Sequence, residues 1–451
     1  MARSVKILLT ILMLLPAAAP ADAESLTLSR CIEIALKENP ALRSYSWALS
    51  AQKEDLGIAK GHLYPVLSIE EVFQRTNNPT YSFMSKLNQE RFSESDFLIG
   101  SLNDPADISD FRTSLNFEQP LFVPKIYNGI SMAGKELGAK NAEYRRKKED
   151  VTLKVLISFN GIKTAMEYLR AAGSAKEDAA EHKRIALARY DAGAGLYSDV
   201  LRAEVAVKKS EAMIVRSETD LEISRRALGL LLGRSEPVDI EGDNPLSAVS
   251  DLSIYLDASK VRADLKALRL RYENSEQAVK LERSFFIPDA GIGGSYFYND
   301  HKRPFSSEGE SYIFTGFLRW NIFDVSSYHK IKKAEANRHE MEEDLSGFEK
   351  EISFRVNEAY ARVREKAQNL SLSESVLTEA EEALRLVRIR YENSLAPIVD
   401  LLETQALLDA ARAQLAEARN EHLNAVAELY YQSGILTETI DQNKNFSGED
   451  F

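Results

Sequence analysis

Residues 188–204 read ARYDAGAGLYSDVLRAE, and residues 389–405 read IRYENSLAPIVDLLETQ. The two stretches lie 201 positions apart: Arg189-Tyr190 stands against Arg390-Tyr391, Asp199 against Asp400 and Leu201 against Leu402. The same shift of 201, without a gap, carries residues 117–233 onto 318–434. Phe122 falls on Phe323, Ala133 on Ala334, Val155 on Val356, Leu169 on Leu370, Ala212 on Ala413 and Gly233 on Gly434. A repeat this long is no solenoid unit. It describes two similar half-molecules and a pseudo-symmetric architecture. Upstream the register changes to 223, with Leu42 on Leu265 and Tyr64-Pro65 on Ile287-Pro288. The first copy therefore carries 22 extra residues between Pro65 and Phe117. Thr76-Asn77-Asn78-Pro79 and Asn103-Asp104-Pro105 mark that excess as surface loop at a hairpin tip.

Arg3 and Lys6, the short apolar run 7–15 and Ala21-Asp22-Ala23 form a secretory leader, so residues 1–23 are expected to be removed. The run is too short to span a bilayer, which takes about 20 residues. Cys31, the single cysteine, follows no lipobox-like stretch, so no lipid anchor is expected; it suits a buried position on an N-terminal helix. The formal net charge is −12, and loss of Arg3, Lys6 and Asp22 moves it to −13. An acidic exported chain is a poor partner for nucleic acid. No other segment holds 18 uninterrupted apolar residues, which disfavours a helical membrane protein. A transmembrane barrel stays open, because its strands alternate and leave hydropathy weak.

Proline is absent from 125–236, from 305–396 and after Pro397. An interior proline costs a helix about 3 kcal/mol, so these stretches permit long helices. Val356, Val363, Leu370, Leu377, Leu384 and Tyr391 recur every seven residues, as in a coiled-coil seam. The first copy repeats this at Val155, Ile162 and Leu169, then breaks at Lys176 and Lys183. Beside it runs a stripe of small residues, Ser158, Ala165, Ala172, Ala179 and Ala186, that lets a neighbouring helix approach closely. A helix over 125–190 would be roughly 99 Å long at ~1.5 Å per residue. It is expected to turn near 193–195 and return through 201–232; the second copy turns near 394–397 and returns through 401–431. Shorter helices are expected at about 28–38, 41–62 and 258–283.

Two regions alternate as strands do. Phe111, Thr113, Leu115 and Phe117 point one way, and Arg112, Ser114, Asn116 and Glu118 the other. In 311–323, Tyr312, Phe314, Leu318 and Trp320 share a face opposite Thr315, Arg319 and Asn321. Partners at about 66–75 and 289–299, the latter with Ile292, Tyr296 and Tyr298 on one face, complete two hairpins. Strands of about ten residues cross a bilayer in a barrel, and aromatics on an exposed face suit an interfacial girdle. A soluble sheet with one buried face is the plainer alternative. Four strands cannot close a barrel, which needs about eight. A membrane reading therefore demands an oligomer, in which two chains supply eight strands and three supply twelve. The expected division is a leader at 1–23, a first repeat at 24–233, a linker at 234–257, a second repeat at 258–434 and a tail at 435–451. The fold class is mainly α with a transmembrane β part.

Over essentially the whole mature chain these residues resemble the TolC-type outer-membrane efflux family. The carriers are Leu26-Thr27-Leu28, Ala35-Leu36, Asn39-Pro40-Ala41-Leu42, Gln119-Pro120-Leu121-Phe122 and the two turn motifs at 189–204 and 390–405. The resemblance implies a homotrimer whose twelve strands make one outer-membrane barrel, in contact with lipid, above an α-helical periplasmic tunnel. It implies an exit duct for efflux or type I secretion, joined by a periplasmic adaptor (membrane fusion) protein to an inner-membrane pump of RND or ABC type. Asp400 and Glu403 match the pore aperture. They sit three apart and share a helix face, and three copies would ring one opening with six carboxylates. Tyr391 and Asp199 match a closing network, with Tyr190 and Arg202 as further turn contacts. Gly193, Gly195, Leu196, Ser394 and Pro397 fall at the adaptor-docking turns. The family's basic partner falls on Ala396, so closure here must use other contacts, Arg202 being one. Arg262-Ala263-Asp264-Leu265 departs from the family at its second position, where proline is usual.

Arg271-Tyr272-Glu273-Asn274-Ser275 duplicates residues 390–394 out of register and is given no role. The six histidines form no ligand spacing, Gly291, Gly293 and Gly294 lie in a strand without phosphate-loop context, and no nucleophile-and-base motif occurs. No enzyme, cofactor or metal is expected. The rival reading is a periplasmic or surface coiled-coil scaffold or adhesin, which would use the heptads but has no need of duplicated amphipathic hairpins.

Overall fold

The computed structural model describes residues 25–440 apart from 245, 247 and 248. The expected leader and the last part of the tail lie outside the described residues. The elements run α1 (Leu28–Glu38), α2 (Pro40–Gly61), β1 (Val66–Thr76), α3 (Pro79–Asn88), α4 (Ile99–Asn103), β2 (Ile108–Phe122), α5 (Pro124–Asp191), α6 (Tyr197–Leu231), α7 (Leu252–Ser259), α8 (Ala263–Arg283), β3 (Asp289–Asp300), β4 (Gly309–Arg319), α9 (Val325–Glu392) and α10 (Ile398–Ser433). The shift of 201 holds at both ends of the long helices: Pro124 against Val325, Asp191 against Glu392 and Tyr197 against Ile398. α5 and α9 each have 68 residues, and α5 runs through its five glycines without a break.

The cause of the equal ends is local. After α5, Gly193 N–H bonds the Tyr190 carbonyl and Ala194 N–H bonds that of Arg189. After α9, Ser394 and Leu395 make the same two bonds to Tyr391 and Arg390. This pair of bonds is the Schellman stop, which needs a left-handed residue. Gly193 supplies it with φ 71° and Ser394 with φ 65°. The returning helices end in the same way at Gly233 and Gly434, both at φ 77°.

The chain divides into two compact units. The first holds residues up to 40, 149–255 and from 357 onward. Here the heptad seam is buried at Val356 (the unit's border), Val363 and Tyr391, and the small stripe is buried at Ala165, Ala172, Ala179 and Ala186. Tyr255, on α7, is fully buried, edge-on to Tyr430 at 5.7 Å. Asn39 bonds the Leu231 carbonyl at 2.8 Å, tying α1 to the end of α6. Cys31 is buried on α1 as expected, and burial pushes its thiol up to about 11.

The second unit holds 41–148 and 256–356. Its four strands form one antiparallel sheet in the order β1-β2-β3-β4. The register places Phe73 against Phe111, Ile69 against Leu115, Leu115 against Tyr296 and Tyr296 against Tyr312. One face is therefore apolar and aromatic. The other carries Arg112, Ser114, Asn116 and Glu118, with Glu70 and Ser295 beside them. On the apolar face Glu71 accepts from Thr113, and Glu310 accepts from Tyr296 at 2.6 Å. Trp320 lies beyond the end of β4, where its indole N–H bonds the Phe286 carbonyl at 2.9 Å. The strand thus stops at Arg319, short of the expected 323.

Two expectations need correction. The 22 extra residues are not loop but include α3 and α4. Asn78 caps α3, accepting from Thr80 and Tyr81, and Pro79 occupies its first position. The helix expected over 258–283 is two helices broken at 260–262. Arg262 is extended, and Asp264, in the first turn of α8, binds it at 2.6 Å and Arg146 at 3.4 Å. Ala263 therefore sits at the helix position that proline favours. The pentapeptide at 271–275 faces α5: Arg271 pairs with Glu136 (3.2 Å) and Glu143 (2.7 Å), and Glu273 with Lys135.

Ala172 is 2% exposed on the small stripe. Ala172→Leu is expected to cost about 1–3 kcal/mol by overpacking, read as a lowered urea midpoint of the helical circular-dichroism signal; Lys176→Leu, one turn on and exposed, is expected to change it little.

Candidate functional site at the helical tips

The ends of α5 and α9 and the starts of α6 and α10 close around one apolar cluster: Ala186, Val200 and Ala203 from the first copy, and Tyr391, Ile398 and Leu401 from the second. Tyr391 is 3% exposed, whereas its repeat partner Tyr190 is 44% exposed and meets the Tyr197 ring at a tilt, centroids 5.4 Å apart. Two turns equal in sequence are thus unequal in place.

Arg189 links them. It donates to the Tyr391 carbonyl at 2.5 Å and to Ser394 Oγ at 2.9 Å, and its guanidinium covers the Tyr391 ring at 4.9 Å. One arginine thus adds a second donor to the Tyr391 carbonyl, which already accepts from the Ser394 N–H, and binds a hydroxyl held at left-handed φ. Burial pushes the Tyr391 hydroxyl up; the Arg189 cation opposes this, and Asp199 adds to it. Arg390, the repeat partner of Arg189, is exposed. Arg202 is exposed too, with no ion pair among the described residues. Asp400 and Glu403 lie in the first two turns of α10 with exposed side chains, which suits acidic groups near a helix N-terminus. Gly193, Leu196, Ser394 and Pro397 are exposed at the turns, and Gly195 is half-buried against Arg189 and Tyr190. The structure therefore joins Tyr391 and Ser394 through Arg189, with Asp199 near enough to act on the Tyr391 hydroxyl. It leaves Tyr190, Arg202, Asp400 and Glu403 on open faces.

Further along the hairpins lies a buried polar group that the sequence did not announce. Gln405 donates to Asp178 at 3.1 Å and to Asp409 at 3.0 Å, so both hydrogens of its amide are used. Its oxygen must then accept from His182 Nε2, 3.2 Å away. This leaves Nδ1 bare and without a partner. A second proton there would find no acceptor, and burial holds the imidazole below its ordinary value of 6.5. Burial raises the Asp409 carboxyl, opposed by Gln405 and Arg412. Beside this group Lys183 pairs with Glu204 on α6. Adjacent residues of α5 thus serve α6 and α10 in turn.

The sequence matches the outer membrane efflux protein profile over residues 31–234 and 255–434. The chain belongs to the outer membrane efflux protein family. It is 20% identical over 415 residues to the outer membrane protein TolC of Salmonella enteritidis, covering 89% of this chain and 80% of that protein. It is 28% identical over 132 residues to the alkaline protease secretion protein AprF of Pseudomonas aeruginosa, covering 29% of this chain and 27% of that protein. The crystal structure of VceC from Vibrio cholerae superposes with a TM-score of 0.73 at 18% identity, over 90% of this chain and 96% of that one. Family membership makes this an outer-membrane exit channel of efflux and secretion systems and not an enzyme. Among the described residues no helix is long and apolar enough to cross a membrane, which says nothing against strands.

Arg189→Ala is expected to raise hydrogen exchange across 391–397, whereas Arg390→Ala leaves it unchanged. His182 gives a pH effect. An imidazole held low in the folded state stabilises fully above its unfolded value, and that contribution is lost as pH falls through it. Around it stand Asp178, Glu181, Arg388, Gln405, Asp409 and Arg412. Going from about pH 7.5 to about 5.5 is expected to weaken exchange protection around 178–186 and 401–409. His182→Gln, which keeps the bond to Gln405 without a titrating ring, should remove most of that pH dependence. Asp409 runs the other way, its contribution fading only as pH rises through its elevated value.

Proposed function

We propose that three copies of this chain form one duct, with twelve strands in the outer membrane and the helical hairpins enclosing a periplasmic passage. The observation that carries this is the sheet. It has one bare apolar face, free edges on β1 and β4, and too few strands to close alone. Conduction is passive. Energy comes from an inner-membrane pump, reached through a periplasmic adaptor that docks on the turns at 193–196 and 394–397. Asp400 and Glu403, open and unpaired among the described residues at the start of α10, line the narrow inner end and favour cations. Arg189 holds the resting arrangement of each tip in place of the family's basic residue, whose position is taken by Ala396.

Single-channel recording in planar bilayers tests the aperture. Wild-type channels are expected to be cation-selective, and Asp400→Asn with Glu403→Gln should reduce that selectivity severalfold. Unchanged selectivity and conductance would remove these residues from the aperture. Fractionation tests the scaffold reading: a duct extracts with the outer membrane as a heat-modifiable oligomer, whereas a rod without channel activity is recovered in the soluble periplasm.

A further inference from the structure

The excess chain of the first hairpin folds to one side of the sheet, and two separate contacts say which side. Gln89, 1% exposed at the end of α3, donates to Asp110 Oδ1 at 2.8 Å and to the Ser109 carbonyl at 2.9 Å. Asn299 donates to both oxygens of the same carboxylate, at 3.1 and 2.9 Å. Asp110 and Asn299 share the polar face, because Asn299 pairs with Arg112, two residues along from Asp110. The second contact is a glycine. Gly309 pairs with Asn299, so a Cβ there would point to the same polar face. It would run into the backbone carbonyl of Asn88. Only a residue without a side chain lets the end of α3 seat against β4.

The burial agrees. On the polar face Ile108, at this end of β2, is covered, whereas Phe73 at the same end of the apolar face is 57% exposed. The insert is also braced internally. Lys86 pairs with Asp96 at 2.6 Å, and Phe92 stands edge-on to Phe83 (4.7 Å) and Phe97 (5.0 Å). The second hairpin has no such element. There β3 passes to β4 through a turn clamped by His301 on Glu308.

In a transmembrane barrel the apolar face meets lipid and the polar face lines the lumen. We propose that residues 79–103 form an inward-folded constriction at the outer mouth of the duct, seated by Gln89 on Asp110 and by Gly309, which limits the size of what leaves. The proposal rests on the duct reading above. Each copy contributes one such element, placed above the exposed Arg112 of the same face.

The test uses the purified full-length protein in planar bilayers. Met84, 52% exposed on α3, is replaced by cysteine and treated from the outer side with a polyethylene-glycol maleimide. The native Cys31 is buried and stays silent. Modification is expected to lower single-channel conductance by about half or more, as an added bulk in a pore mouth must. Gly309→Val, which unseats the insert, is expected to raise conductance about twofold and to admit larger neutral polymers. Channels whose conductance ignores modification at position 84 overturn the constriction and leave the duct standing. Wild-type protein that forms no channels overturns the duct reading instead. Should Gly309→Val fail to assemble, the measurement at position 84 decides alone, since it requires no movement of the insert.

Discussion

Hydrocarbon offers a backbone amide nothing to bond, and the structure of this chain follows from that deficit. Four strands satisfy one another inside the sheet but leave β1 and β4 each with an open side. In water such edges would be tolerable; in lipid each unmet group costs several kcal/mol. The apolar face makes lipid the sheet's natural surroundings, and the edges make a single chain insufficient there. On the apolar face Glu310 accepts from Tyr296, and one oxygen of Glu71 accepts from Thr113. In the proposed barrel the chain is one part of a closed surface, and duplication gives it two hairpins that pair through β2 and β3.

The helices obey a second requirement, which is equality of reach. Elements meant to stand side by side around a passage must end together. The Schellman stops at Gly193, Ser394, Gly233 and Gly434 enforce this within a residue or two. Between the stops, small side chains allow close approach and carry little specificity. Register comes from polar pairs instead: Lys183 with Glu204 in one direction, and His182 with Gln405 in the other. A buried amide whose donors and acceptor are all assigned tolerates no sliding of one helix past the next.

Much of this was legible from the sequence, for a reason that differs by element. Long-helix ends were readable because a helix stop is local chemistry, and the repeat states it twice. Strand faces were readable because alternation has period two and both hairpins keep it. The insert was misread because Asn78-Pro79 can open a helix as well as mark a loop. Its aromatic cluster of Phe83, Phe92 and Phe97 has no period to find. The break before α8 was missed because nothing in Lys260-Val261-Arg262 forbids helix. Asp264 fixes it by holding Arg262 and, from α5, Arg146. At the tips, the turn motifs located the apolar cluster but not the residue that binds it. Arg189 and Arg390 are twins in sequence, and only the fold reveals that one of them reaches a carbonyl.

That inequality has a mechanical consequence. Within a chain, the α9–α10 turn is fastened to α5 by an arginine, a ring and a hydroxyl, while Tyr190 and Gly193, the counterparts of Tyr391 and Ser394 at the α5–α6 turn, have no such link to the exposed Arg390. Copies arranged in a ring would then meet at two kinds of seam in alternation, one riveted within a chain and one supplied by whatever the next copy presents. In the proposed ring of three copies, an iris built this way would have three leaves and not six. Each leaf is a whole protomer tip, and its compliance is concentrated at the joints between chains.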